Sequence, residues 1–275
     1  MAHQGLVLEN HYAPGCGSDQ SHVSLFLGQH SIRHKMLHNL CDLDEKSVPM
    51  TRLLKTLGYR NFGHCKASLI PPAGYEELFG FDEFLYPGKY NYGSSRNILN
   101  NALDIGRSMP KVWTSLKRAF GRFVTDETRI RTAARYFDGK DSIDYILEKL
   151  KKHAGDGPVC TYSTLLHPHT PYYPPAWCRD KVLKGHSLPK LTYKIQLNPH
   201  GWRNGDFGES PEAIEGLRLL YEGELLYGDH LIGEVMSKLK ELGLLDQTIL
   251  TVSYTHLRAH ETEADLVCRR LREKK

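Results

Sequence analysis

The stretch His167-Pro168-His169-Thr170-Pro171-Tyr172-Tyr173-Pro174-Pro175 sets two imidazoles two residues apart among four prolines. Proline fixes φ, so such a loop holds a side chain in place without a helix or strand behind it. An imidazole held that way suits proton transfer or anion stabilisation near neutral pH. The same residues suit a rigid loop in which histidine only packs, and spacing alone leaves both roles open. A second stretch, Ala13 to Gly28 (APGCGSDQSHVSLFLG), joins small residues and hydroxyls to an apolar helix start. Ser18 or Ser21 can cap that helix. The same geometry offers free N–H groups to an oxyanion, and a serine there can act as a nucleophile. Cys16 competes for that role, but Ser18 stands closer to the helix start. The third candidate is Lys66, at the end of an expected strand in FGHCKAS. It can clamp an anionic substrate or simply point into solvent.

These residues need a scaffold that brings them to one edge. SVPMTRLLKTLGYR reads as a helix feeding a strand, with Ser47 as cap and Gly58 as stop. NFGHCKASLI continues as strand and loop. Residues from about Tyr86 to Lys140 are basic, helical and irregular, and read as a peripheral insertion with a solvated face. DSIDYILEKLKKHAG is an amphipathic helix capped by Asp141, with Ile143, Ile146, Leu147 and Leu150 on one face and Gly155 at its end. PVCTYSTLL is a buried strand by its β-branched and aromatic content, and it runs directly into the histidine–proline loop. Asp180 to Glu209 reads as loop. A long helix follows from Ser210, with Gly223 and Gly228 as kink points and Gly243 as its end; DQTILTV is then the next strand. Strands alternating with helices mean an α/β fold, a mainly parallel central sheet with helices on both faces. Ligands in such sheets sit beyond the carboxyl ends of the strands, which is where the histidine loop and Lys66 fall.

Composition narrows the classes. At 275 residues with 40% hydrophobic and 25% charged residues, the chain is an ordinary globular sequence of one large domain or two small ones. No apolar run is long enough to span a membrane, and MAHQGLVLENHYA has neither the basic start nor the apolar stretch of a signal peptide. The net charge is +4; six basic and four acidic residues lie from Val252 onward, leaving 30 against 28 before them. That balance gives no argument for a nucleic-acid partner. The six cysteines show no CxxC and no zinc spacing, and read as free thiols of a reducing compartment, which favours the cytoplasm.

In their order along the chain, these pieces resemble the sulfatase family of the alkaline phosphatase superfamily. GLVLENHYA is similar to the stretch before the nucleophile loop, and SHVSLFLG to the helix just after it. LLKTLGYR, Lys66 and GFDEF resemble the next block, and HPHTPYYPP resembles the His-Pro loop, with His169 in the catalytic position. YEGELLYGDHLIGEVMSKLKELGLLDQTIL resembles the helix and strand that follow. The resemblance implies an alkaline phosphatase-like fold and metal-dependent hydrolysis of a sulfate ester, on a small molecule or saccharide. It also implies a divalent ion, calcium, beside a formylglycine nucleophile. Catalytic roles carry over to Ser18, His169 and Lys66. A phosphodiesterase or phosphotransferase of the same superfamily, with Ser18 as nucleophile, is the alternative; a non-catalytic scaffold that kept the fold is another.

The chain departs from the family pattern in three places. The formylglycine motif runs Cys or Ser, any residue, Pro or Ala, any residue, Arg. Here Ser18-Asp19-Gln20-Ser21-His22 stands in register, without the Pro and Arg, which argues against conversion and leaves Ser18 a plain hydroxyl. Ala67-Ser68 follow Lys66 where the family often has Trp-His. The metal-binding acids are expected upstream of GLVLENHYA and directly after TILTV, and neither set is there.

After Val252 the apolar pattern stops. Translated in frame, the transposon-end adapter of short-read sequencing libraries gives Val-Ser-Tyr-Thr-His-Leu-Arg-Ala-His-Glu-Thr, which is Val252 to Thr262. Its continuation matches Leu266 to Lys275 except at Arg270 and Arg272. The expectation is therefore a partial sulfatase-like domain over residues 1–251, incomplete at both ends and inactive by itself, followed by a non-native tail over 252–275.

Overall fold

The computed structural model describes residues 5–8, 14, 18–35, 47–65, 79–85, 125–136, 138–208 and 210–253. Lys66, most of the expected insertion and the chain from residue 254 lie outside them. The chain divides into two compact units. One comprises Met1–Leu85, Lys140–Thr164 and His230–Lys275; the other comprises Tyr86–Gly139 and Leu165–Asp229.

The first unit holds a three-stranded parallel sheet in the order β2-β1-β3, formed by β1 (Arg60–Cys65), β2 (Glu83–Leu85) and β3 (Val159–Thr164). Strand β1 is central, and every residue after Arg60 in it is buried. Its alternating side chains meet helices on opposite faces. On one face, Phe62 stacks on His153, and His64 Nδ1 lies 2.8 Å from Ser142 Oγ. Both partners belong to α5 (Lys140–His153). From the same helix Lys149 Nζ donates to Glu83 Oε2 at 2.7 Å, so its buried ammonium is paired. On the other face, Phe26 of α1 (Ser18–Leu27) packs 4.8 Å from the ring of Tyr162 and 5.1 Å from Phe79. After the short helix α2 (Ser31–His34), helix α3 (Met50–Thr56) closes that side, where Asn61 Nδ2 donates to the carbonyls of Thr51 and Gly80. The expected layering is thus present. Gly63 is required by it: a Cβ there would lie 2.2 Å from the ring of Phe84 on the paired strand.

Several local expectations need correction. Ser47 does not cap α3; the helix starts at Met50 with Pro49 at the cap position, and Gly58 ends the turn at φ +83° as expected. Strand β3 is only half-buried up to Thr164, because it is an edge among the described strands. The DQTILTV strand does not form. Leu245–Gln247 is a 3-10 turn, residues 248–253 have no ladder partner among the described residues, and Ile249 is 95% exposed.

In the second unit, the stretch expected as loop contains α6 (Ala176–Leu183), α7 (Lys190–Leu197) and α8 (Pro199–Arg203). Pro175 and Pro189 stand at the caps of the first two and Pro199 opens the third, where a missing N–H costs nothing. Only Cys178 is buried in α6, so no apolar stripe announces it. Helix α4 (Asp126–Tyr136) packs on α7. Helix α9 (Pro211–Glu241) runs unbroken for 31 residues, about 46 Å at the usual rise, with no break at Gly223 or Gly228. It ends in a Schellman turn: Leu244 N–H bonds the Leu239 carbonyl at 2.8 Å, Gly243 N–H bonds that of Lys240 at 3.0 Å, and Gly243 takes φ +69°. No described helix is long and apolar enough to cross a membrane.

Candidate active site

The histidine–proline loop leaves the carboxyl end of β3 and belongs with the second unit. Its fixed point is His167. The ring Nε2 accepts the backbone N–H of Gly139 at 3.0 Å, and Nδ1 lies 2.5 Å from Glu224 Oε2 on α9. A carboxylate only accepts, and the Gly139 N–H only donates. The proton therefore sits on Nδ1 and the lone pair on Nε2. The Tyr227 ring packs edge-on at 4.8 Å, and its hydroxyl donates to Asp138 Oδ1 at 2.8 Å. The side chains of His167 and Glu224 are 9% and 3% exposed, so this is an interior anchor.

The loop is tied at further points. Glu224 Oε1 accepts the Tyr173 N–H at 2.8 Å, and Gln196 Oε1 of α7 accepts the Tyr172 N–H at 2.5 Å. Arg179 of α6 donates to the Pro174 carbonyl at 3.0 Å and lies 4.1 Å from the centre of the Tyr173 ring. The Tyr173 hydroxyl donates to Glu127 at 2.9 Å. Burial, the Glu127 hydrogen bond and its charge together raise the Tyr173 phenol above its ordinary value, against Arg179. Burial, then the charge of Glu127, pushes the nearby Tyr193 phenol up to about 12. The Cys178 thiol is pushed up to about 11 by burial and then by the Glu224 charge.

His169 sits between these anchors. Its N–H bonds the Leu166 carbonyl, and its Nδ1 lies 2.5 Å from the Thr170 carbonyl. That carbonyl can only accept, so Nδ1 carries a proton. The peptide bonds before Pro168 and Pro171 are cis. Of the other expected site residues, Ser18 opens α1 in the first unit, whereas His169 belongs to the second; Lys66 lies outside the described residues.

Two features of the loop escaped the sequence. Glu224 was read only as part of a helix, yet it interrupts a stripe of buried residues, Leu217, Leu220, Tyr227, Leu231, Val235 and Leu239. A carboxylate at a core position of an amphipathic helix is the signal that would have found it. The two histidines also differ in what they bond: His167 joins Gly139 and Glu224, and His169 bonds the carbonyls of Leu166 and Thr170. Among the described residues, no group of three His, Cys, Asp or Glu side chains forms a metal-binding cluster; the described donors do not by themselves make a divalent-ion site.

The chain was compared with known proteins. The Sulfatase family model matches residues 1–264. No curated protein sequence matches. Among solved structures, the phosphonate monoester hydrolase SpPMH from Silicibacter pomeroyi aligns with a TM-score of 0.50 and 17% identity, over 85% of this chain and 51% of that one. The phosphonate monoester hydrolase of Agrobacterium radiobacter aligns with a TM-score of 0.49 and 13% identity, over 86% of this chain and 52% of that one. The chain thus spans about half the length of these structures. At such identity the first likeness speaks for the fold, an alkaline phosphatase-like α/β architecture. The family match across nearly the whole sequence shows that the chain belongs to the Sulfatase family.

Proposed function

We propose that the whole protein of which this chain is part hydrolyses a sulfate ester of a small molecule or saccharide. The observation that carries the proposal is the position of His169 on a loop held by Glu224 at two points. With Nδ1–H given to the Thr170 carbonyl, Nε2 protonated from solvent passes that proton to the leaving oxygen as its bond to sulfur breaks. Ser18, at the amino end of α1, supplies the attacking oxygen and gives its own proton to solvent, Lys66 offsets charge on the sulfuryl oxygens, and water then cleaves the sulfate from Ser18 and restores its hydroxyl. Sulfatase-family enzymes generally use a divalent metal, and calcium is the ion proposed here; it supplies charge neutralisation when bound. The described residues do not assemble a site for it, so each step above belongs to the chain's own groups.

A second reading has a specific support. Ser18-Asp19-Gln20-Ser21-His22 lacks the Pro and Arg of the formylglycine motif, and SpPMH, with which the chain aligns, is a phosphonate monoester hydrolase. A plain serine hydroxyl cleaving a phosphonate or phosphate ester follows from that. One experiment separates the two: an aryl sulfate, an aryl phosphate and an aryl phosphonate ester are each assayed with calcium, zinc or manganese. Preference for the sulfate with calcium supports the first reading, and preference for a phosphorus ester with zinc or manganese supports the second. No turnover of any ester by the whole protein overturns both. Mass spectrometry of the Ser18 peptide is the companion measurement, and an aldehyde there removes the plain-hydroxyl reading.

A further inference from the structure

The geometry points to Glu224 as a positioning residue for His169, acting through both ends of the loop that carries it. The inference rests on the reading that His169 transfers the proton. Glu224 is buried on α9, and its two carboxylate oxygens divide between two donors. Oε2 takes the Nδ1–H of His167, two residues before His169; Oε1 takes the backbone N–H of Tyr173, four residues after it. His169 itself bonds the Leu166 carbonyl, one residue before the first anchor, through its N–H, and the Thr170 carbonyl, inside the clamped segment, through Nδ1. Two anchors on one rigid helix thus set where the His169 ring stands. The helix backbone comes close enough to support this: a Cβ on Gly223 would lie 2.7 Å from Pro174, and one on Gly228 would lie 3.5 Å from the His167 Cβ.

The donor and acceptor count makes the arrangement brittle to one atom. Replacing the carboxylate by an amide of the same shape introduces a donor. In Glu224→Gln, the new NH2 faces either the His167 Nδ1–H or the Tyr173 N–H. Moving the His167 proton to Nε2 does not help, because Nε2 already accepts from Gly139. No arrangement of the amide and the neutral ring satisfies all three donors, so at least one of the bonds at Gly139, His167 or Tyr173 is lost.

The test uses the full chain labelled with 15N-histidine, with the His167 and His169 signals assigned by their loss in His167→Gln and His169→Gln. In the unaltered chain both rings show the proton on Nδ1. In Glu224→Gln the His169 nitrogen shifts move, and the Tyr173 amide exchanges about tenfold faster. An unchanged His169 pattern with unchanged Tyr173 exchange, in a variant folded by circular dichroism, overturns the assignment. If Glu224→Gln does not fold, a second pair decides. His167→Asn keeps a side-chain donor for Glu224 and leaves the His169 pattern in place, whereas His167→Leu shifts it; the same His169 pattern in both refutes the clamp. Where ester turnover is measurable, Glu224→Gln lowers kcat by about 10²-fold with KM little changed. The magnetic resonance result stands without turnover, so failure of the clamp and failure of the proposed chemistry give different outcomes.

Discussion

Gly223 of α9 faces the ring of Pro174 so closely that a Cβ would lie 2.7 Å from its Cγ and 3.5 Å from the Cγ2 of Val182. The long helix carries glycine here for a close approach and not for a bend. Gly233, on the same helix, has nothing within 4 Å of where a Cβ would stand. The two positions therefore answer the same substitution with opposite signs. Gly233→Ala gains helix propensity, roughly 0.5–1 kcal/mol. Gly223→Ala pushes the proline ring away and loses about 1–3 kcal/mol to overpacking. Urea midpoints of the two variants check this; equal shifts in one direction would refute the close-approach account.

Asp82 joins the turn before β2 to the start of β1. Burial works against its ionised form. The hydrogen bonds from Lys55 and the Asn61 N–H, with the charges of Lys55 and Arg60, outweigh that and hold its carboxyl below the ordinary value. A depressed carboxyl stabilises the fold above the ordinary value, and the contribution disappears as pH falls through the folded one. Asp82→Asn should thus be less stable than the unaltered chain at pH 6 and lose less on acidification below about pH 4. The ion pair is partly exposed, so the effect is under about 1 kcal/mol. Parallel acid limbs in the two proteins would count against it.

Cys178 is fully buried in α6, and its thiol is pushed up to about 11, first by burial and then by the Glu224 charge. A raised thiol stabilises the fold below its unfolded value and loses that contribution as pH rises toward the folded one. The window runs from about 8.5 upward. Replacing Cys178 with Ala should flatten the alkaline limb of stability there, read as the difference from the unaltered chain, since the raised phenols of Tyr173 and Tyr193 act equally in both proteins. In the folded protein at pH 8 this thiol should react with a disulfide reagent far more slowly than the half-exposed Cys160.

Much of the scaffold was legible because its signals are local. Gly58 and Gly155 mark real ends with positive φ, and Ile143 and Ile146 are buried on α5 as the periodicity requires. The helices after Pro175 and Pro189 were missed because they bury few side chains, so no apolar period marks them. DQTILTV read as a strand because β propensity is local, while a strand exists only against a partner; Ile249 has none among the described residues. The site was legible as a loop and not as a mechanism. Proline content located His167 and His169, but the assignment of one as anchor depends on Glu224, 57 residues away in sequence, and no spacing rule reaches that far.

The division of labour between the two histidines gives the sharpest functional contrast. His167 has both ring nitrogens committed, to Gly139 and Glu224. His167→Leu keeps the bulk and strands the Gly139 N–H and one Glu224 oxygen, at about 1–3 kcal/mol for each buried group left unmet. Its urea midpoint should fall clearly. His169 bonds the carbonyls of Leu166 and Thr170 through its N–H and Nδ1, and His169→Asn can keep a donor toward the Thr170 carbonyl while removing Nε2. That variant should unfold at a higher urea concentration than His167→Leu and, on the proposed chemistry and with calcium added, turn over ester about 10²–10⁴ times more slowly. A leaving group of low pKa needs no proton, so an activated aryl ester should recover most of the lost rate, while an alkyl ester should not. A uniform loss with both esters would mean that His169 binds or orders the substrate and that the proton comes from elsewhere.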